Sequence, residues 1–180
     1  MKRLFIICGL SFAGKSTLGK AIAERFGYEQ VDVDVTKLHL YGPNAEDEQL
    51  TQSDWDRIYI ETDKLIANHL QAGKTVIDAS RNFRKAERRH IRKYLENLGV
   101  DVVTIYIDTP EDVARQRLLE NRRIKTRVDY PDAAFDEIVR VMEPPTQEEA
   151  PLIFHYEGEV GAWITEHIAA QGLWGDQLSC

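Results

Sequence analysis

Cysteine is nearly absent from this chain: of 180 residues, only Cys8 and Cys180 are thiols. One thiol inside an apolar run and one at the last position make no disulfide framework, which agrees with a cytosolic setting. Long hydrophobic runs are lacking too. The apolar run at 4–8 has a basic flank, as a signal peptide would, but it is too short and leads into a glycine-rich turn instead of a small-residue cleavage site. No other stretch approaches the ~20 apolar residues that cross a bilayer. A soluble, cytoplasmic chain with no membrane partner is the expectation. Excess positive charge is missing as well, and a net charge of −7 works against a general attraction to nucleic acid. Internal repeats, low-complexity blocks and a second domain are not seen, and 180 residues suffice for one domain with a real core.

What is present is organised around Gly9-Leu10-Ser11-Phe12-Ala13-Gly14-Lys15-Ser16-Thr17, which fits G-x-x-x-x-G-K-[ST]. The run at 4–8 before it reads as a buried parallel strand. Residues 15–26 after it read as a helix, with Leu18, Ile22 and Phe26 at helical spacing. Strand, glycine-rich turn and helix together are the context of a phosphate-binding loop. Gly9 and Gly14 let the backbone take positive φ and close around a phosphate chain. The N–H groups of Ser11, Phe12, Ala13, Gly14 and their followers, with the positive helix end, form an anion site. Lys15 is expected to reach the β- and γ-phosphates of ATP, and Ser16 to ligate Mg²⁺, with Thr17 completing the nucleotide contacts. Asn-Lys-x-Asp, the guanine-reading tetrapeptide of GTPases, does not occur.

A second strand is predicted at 28–35, where Val31, Val33 and Val35 alternate with Asp32 and Asp34. That period of two would put both carboxylates on one face, at the strand end where open α/β sheets bind ligands. Asp34, nearer the strand end, is the favoured general base toward an acceptor hydroxyl; Asp32 is the alternative base, or a holder of water on Mg²⁺. Residues 37–52 read as a loop or short lid, with Lys37, Tyr41 and Asn44 within reach of an acceptor. Ser53 is read as the N-cap of a helix running to about 71 and ended by Gly73. A third strand at 75–80 is apolar until Asp78, which would hold a Mg²⁺-bound water or orient the acceptor.

The basic run at 81–93 reads as a helix, with Arg84, Arg88 and Arg92 on a face apart from Ile91, Tyr94, Leu95 and Leu98. That face is either solvated or, through Arg81 and Arg88, a clamp on an anionic acceptor. A fourth strand is predicted at 101–108, then a helix with Thr109 as N-cap and Pro110 at N1. It ends among arginines; a lid at about 121–130 would bring Arg117 and Arg122 onto the phosphates. A helix at 132–142, a short strand at 152–154, a helix at 160–170 and a tail at 171–180 complete the chain.

With these pieces in this order, the chain up to about 170 resembles the small P-loop kinases: AAA-type ATP-binding, zeta-toxin-like, chloramphenicol phosphotransferase-like and polynucleotide 5′-hydroxyl kinases. The matching pieces are the loop at 9–17, Asp34-Val35-x-Lys37, Asp54-x-x-Arg57, the stretch 73–80 ending Asp78-Ala79-Ser80, Arg117-Leu118 before a basic segment, and Glu143-Pro144-Pro145 with Glu148 or Glu149. The resemblance implies a three-layer α/β fold with a parallel five-stranded sheet in order 2-3-1-4-5. It also implies ATP- and Mg²⁺-dependent phosphoryl transfer to a hydroxyl. A small-molecule acceptor is favoured, a polynucleotide 5′-hydroxyl is the alternative, and an ATPase without an acceptor is a third reading.

Overall fold

Strand β1 (Arg3–Cys8) is buried from end to end, as its unbroken apolar run requires. In the computed structural model, which describes residues 2–43, 45–125 and 131–170, it is the centre of a five-stranded sheet in order β2-β3-β1-β4-β5. The strands are β2 (Glu29–Val31), β3 (Val76–Asp78), β4 (Asp101–Asp108) and β5 (Leu152–His155), and every pairing is parallel. Leu4 and Ile6 of β1 face one way and Phe5 and Ile7 the other, and each side is covered. Phe5 and Ile7 pack with Leu18 and Ile22 of α1 (Lys15–Phe26) and Trp163 and Ile164 of α7 (Val160–Ile164). Leu4 and Ile6 pack with Ile66 and Leu70 of α3 (Gln52–Gln71) and Ile91 of α4 (Lys85–Tyr94). Helices on both faces of a parallel sheet make the three-layer architecture expected from the sequence. Helices α5 (Glu111–Ile124) and α6 (Asp132–Val141) join through Ala114, Leu118 and Phe135 beside it.

Several boundaries move for local reasons. β2 ends at Val31, because Asp32 turns the chain and caps a helix, α2 (Val33–Tyr41), by accepting the Asp34 N–H at 2.8 Å. The alternation of Val31, Val33 and Val35 is therefore not a strand face, and much of the predicted loop at 37–52 is helical. The N-cap of α3 is Thr51, not Ser53: Asp54 accepts from both the backbone and the hydroxyl of Thr51 in a capping box. At α5 the cap is Pro110. α5 continues to Ile124, so the first residues of the expected lid are helical; residues 126–130, Asn44 and the tail at 171–180 lie outside the described residues. The last helix passes from α7 into a π-turn at Thr165–Ala169.

Candidate active site

The loop after β1 is shaped by close approach. At Gly9, φ is 147° and an added Cβ would lie 2.9 Å from the carbonyl oxygen of Ile107. Gly14, at φ 112°, is the N-cap of α1, and Phe12 also holds a positive φ of 62°. The β4–α5 junction braces the loop from outside: Thr109 Oγ1 donates to the Ala13 carbonyl at 3.1 Å, and Arg117 donates to the same carbonyl at 2.9 Å. Lys15 is buried, and its Nζ donates to the carbonyls of Gly9 and Leu10 at 2.9 and 2.8 Å. The same ammonium lies 4.8 Å from the centre of the Phe83 ring. Ser16 is partly exposed and Thr17 exposed where α1 begins. Beneath the loop, burial pushes the Cys8 thiol up to about 12, so it stays neutral.

Three carboxylates gather from β3 and α2. Asp78 is fully buried and accepts from the Ser80 hydroxyl at 3.1 Å, Arg81 Nε at 3.0 Å and the Asn82 amide at 3.0 Å. Ser80 Oγ in turn accepts the Val33 N–H, which draws the start of α2 to the end of β3. Burial, then the nearby charges of Asp34 and Asp78, raise the proton affinity of Asp32 above that of an ordinary aspartate, against the opposing hydrogen bond from the Asp34 N–H. Asp34 is exposed, and its carboxylate has no hydrogen-bond or ion-pair partner among the described residues. Asp32 and Asp34 thus neighbour each other on one helical turn, one turned inward and one outward.

The basic residues are disposed differently from the sequence reading. Arg88 is not an acceptor contact: it is 0% exposed, it grips Glu149 with two donors at 2.7 and 3.1 Å, and it donates to the carbonyls of Asn82 and Phe83. Arg81 bridges Asp63 and Asp78; burial opposes its charge, but the two carboxylates hold it above the ordinary arginine value. Lys37 pairs with Asp47 at 2.6 Å, and Arg122 with Asp132 at 3.0 Å.

The sequence reading assigned no role to Asp63, Asn82 or Phe83, and Glu149 entered only as part of the family resemblance. Asp63 was detectable, because it falls on the buried stripe of α3 with Ile66, Ala67 and Leu70, where an acid requires a partner. A cavity of about 360 Å³ on the other side of the loop was also missed; Phe12, Gly14, Thr17, Arg117, Asn121 and Tyr156 are among its lining residues. Among the described residues, no group of three or more His, Cys, Asp or Glu side chains could cage a metal. A hydroxyl and one or two carboxylates beside a phosphate loop are nevertheless the donors Mg²⁺ uses when phosphates supply the rest.

Over 117 residues, 62% of this chain, the sequence is 28% identical to the pentafunctional AROM polypeptide of Zygosaccharomyces rouxii, and the match spans 7% of that polypeptide's length. Kti12 of Chaetomium thermophilum, solved in complex with ADP-AlF3, shares the fold with a TM-score of 0.72 at 15% identity, over 95% of this chain and 98% of that one. A gluconokinase of Sinorhizobium meliloti 1021 does so with a TM-score of 0.67 at 18% identity, over 95% and 92%. The sequence profile of the AAA domain family, AAA_33, matches residues 4–145. With the phosphate loop and most of its length inside that match, the chain belongs to this AAA domain family.

Proposed function

We propose that this chain is a kinase that moves the γ-phosphoryl group of ATP, with Mg²⁺, to a hydroxyl of a small-molecule acceptor. The observation that carries the reading is the placement of two different walls around one phosphate loop. On one side the cavity beside Arg117 and Tyr156 has the volume of a small-ligand pocket and suits the nucleoside. On the other, Asp32 lies near the charges of Asp34 and Asp78, at the end of β3 that Ser80 ties to α2, and this side is read as the acceptor's.

In this reading Lys15 leaves the carbonyls of Gly9 and Leu10 for the phosphates, joining the loop N–H groups and Thr17. Arg117, already against the loop, offers charge to the transferring group, and Arg122 is its second candidate once freed from Asp132. Asp34, open and unpaired, takes the proton of the acceptor hydroxyl. Ser16 and Asp32 would hold Mg²⁺, which would supply neutralisation of the phosphate charge. Asp78, whose oxygens already accept from Ser80, Arg81 and Asn82, would serve the ion as a supporting carboxylate.

The small-molecule acceptor is favoured over a polynucleotide by where the arginines point. A phosphate backbone needs a free basic track, yet Arg88 and Arg81 are spent on internal carboxylates and Arg92 on Thr104 and the Val102 carbonyl. The gluconokinase that shares this fold is in keeping with a hydroxyl-bearing small-molecule acceptor. The test is transfer of labelled γ-phosphate from Mg²⁺-ATP to a panel of hydroxylated metabolites and a 5′-hydroxyl oligonucleotide, with Lys15→Ala as control. Label on a metabolite with the wild type alone supports the reading. Label on the oligonucleotide alone would replace its acceptor, and ATP turnover without any labelled acceptor would defeat transfer.

A further inference from the structure

One buried ion pair lies outside the transfer chemistry yet holds the loop that follows β3. Arg88 on α4 and Glu149 in the turn after α6 are 61 residues apart, and their side chains are 0% and 9% exposed. Glu149 accepts from Nε at 2.7 Å and from a terminal nitrogen at 3.1 Å, the two-pronged geometry only arginine offers. The remaining terminal nitrogen donates to the Asn82 carbonyl at 3.1 Å and the Phe83 carbonyl at 3.3 Å. Glu149 is fixed in turn, because Oε1 also accepts the Thr146 N–H at 3.0 Å. Although burial favours its protonated form, Arg88 and the Thr146 N–H hold the Glu149 carboxyl below the ordinary glutamate range, so the pair is charged.

The loop this pair grips is strained and central. Asn82 is 1% exposed at φ 77°, a conformation that needs outside support. Its amide holds Asp78 at 3.0 Å, and the Phe83 ring stands over the Lys15 ammonium at 4.8 Å. The segment just after α6 adds two more bonds: the Glu143 N–H donates to the Phe83 carbonyl at 2.9 Å, and Glu143 Oε2 accepts the Lys85 N–H at 2.6 Å. Nothing about the sheet's core asks for an arginine here. The guanidinium is used to hold two carbonyls and one carboxylate in fixed relation.

We propose that Arg88 and Glu149 are positioning residues for phosphoryl transfer: they lock the 81–83 loop so that Asn82 aims Asp78 and Phe83 confines Lys15. The inference rests on the kinase reading above. Both side chains are buried against protein groups, so their loss should misplace the reacting groups more than it weakens nucleotide capture.

The test combines steady-state kinetics with amide hydrogen exchange on the full chain. Glu149→Ala and Arg88→Lys should speed exchange of the amides at 81–84 while β1 keeps wild-type protection. Per folded molecule, kcat should fall about tenfold or more, with KM for ATP within about twofold of wild type. Glu149→Gln, which keeps the shape and one acceptor oxygen, should recover most of the kcat. If the harsher variants fail to fold, Glu149→Asp, which keeps the charge but shortens the reach, should show the same split. Turnover that merely tracks the folded fraction, a loss confined to KM, or unchanged exchange at 81–84 would each overturn the proposal. A wild-type chain that turned over no ATP would defeat the kinase reading instead, and exchange at 81–84 would still decide whether the pair holds the loop.

Discussion

Ser80 Oγ accepts the backbone N–H of Val33 at 3.0 Å while donating to Asp78 at 3.1 Å. One hydroxyl therefore ties the tip of β3 to the first turn of α2 and sets Asp32 beside Asp78. Ser80→Ala should leave the Val33 N–H unpaired and cost about 1–3 kcal/mol of stability, read from urea unfolding. Transfer should drop by more than ATP affinity, because the carboxylates and not the loop lose their relation. A variant with full activity and lowered stability would leave Ser80 a structural role only.

Asp32 gives a prediction whose sign is fixed by its environment. Its folded-state proton affinity is raised, so its ionisation opposes folding. The stability it contributes is complete below the ordinary aspartate pKa and is lost as pH rises through the raised one. Asp32→Asn keeps a good N-cap for α2 and removes that penalty. The variant should melt higher than wild type near neutral pH, with the advantage vanishing as pH falls below about 4, while transfer is lost through the metal. Asp34→Asn, exposed and without a partner, should scarcely move the melting temperature yet abolish transfer. Thermal melts across pH for both variants, beside phosphoryl transfer, separate the two roles; full activity in Asp34→Asn would remove it as the base.

Gly9 and Gly14 should fail for different reasons. At Gly9 a methyl group would meet the Ile107 carbonyl oxygen at 2.9 Å, an atom fixed in β4. Gly9→Ala should therefore lower stability and ATP affinity together. At Gly14 the nearest atom is Arg117 Nη1 at 3.9 Å, so space is available and only the φ of 112° resists. Gly14→Ala should weaken ATP binding with a smaller loss of stability, about 1–2 kcal/mol. Calorimetric ATP titration and melting of both variants check this order.

The fold was legible where one principle ruled a segment. β4 at Asp101–Asp108 appears at its expected bounds because it pairs on both sides, and α1 ends at Gly27 because only a left-handed residue closes it. Legibility failed where a distant group overruled a local pattern. The three valines around Asp32 read as a strand, but the cap at Asp32 and the Ser80 bond to Val33 make a helix. Arg88 read as part of a face either solvated or turned to an anionic acceptor, yet it lies on the same stripe as Ile91 and Leu95, where its charge is met from 61 residues away. The phosphate loop could be read locally; the carboxylate wall needed β3 and α2 brought together.

The Asp63–Arg81 contact provides the last prediction. Asp63 is 3% exposed and holds Arg81 on one oxygen and His90 Nε2 at 2.9 Å on the other. Removing one partner of a buried pair leaves the other charge unpaired, at a cost of about 3–5 kcal/mol. Asp63→Ala should fall in that range, reduced by the hold Asp78 keeps on Arg81. Arg81→Met should cost more, since it strands both Asp63 and Asp78. In the double variant Asp63 is gone as well, so only Asp78 loses a cation, and the sum of the single losses should exceed the measured one. Urea unfolding of the four proteins gives that coupling energy directly. Strict additivity would mean that Arg81 draws its hold from Asp78 alone, and that Asp63 serves the surface histidine instead.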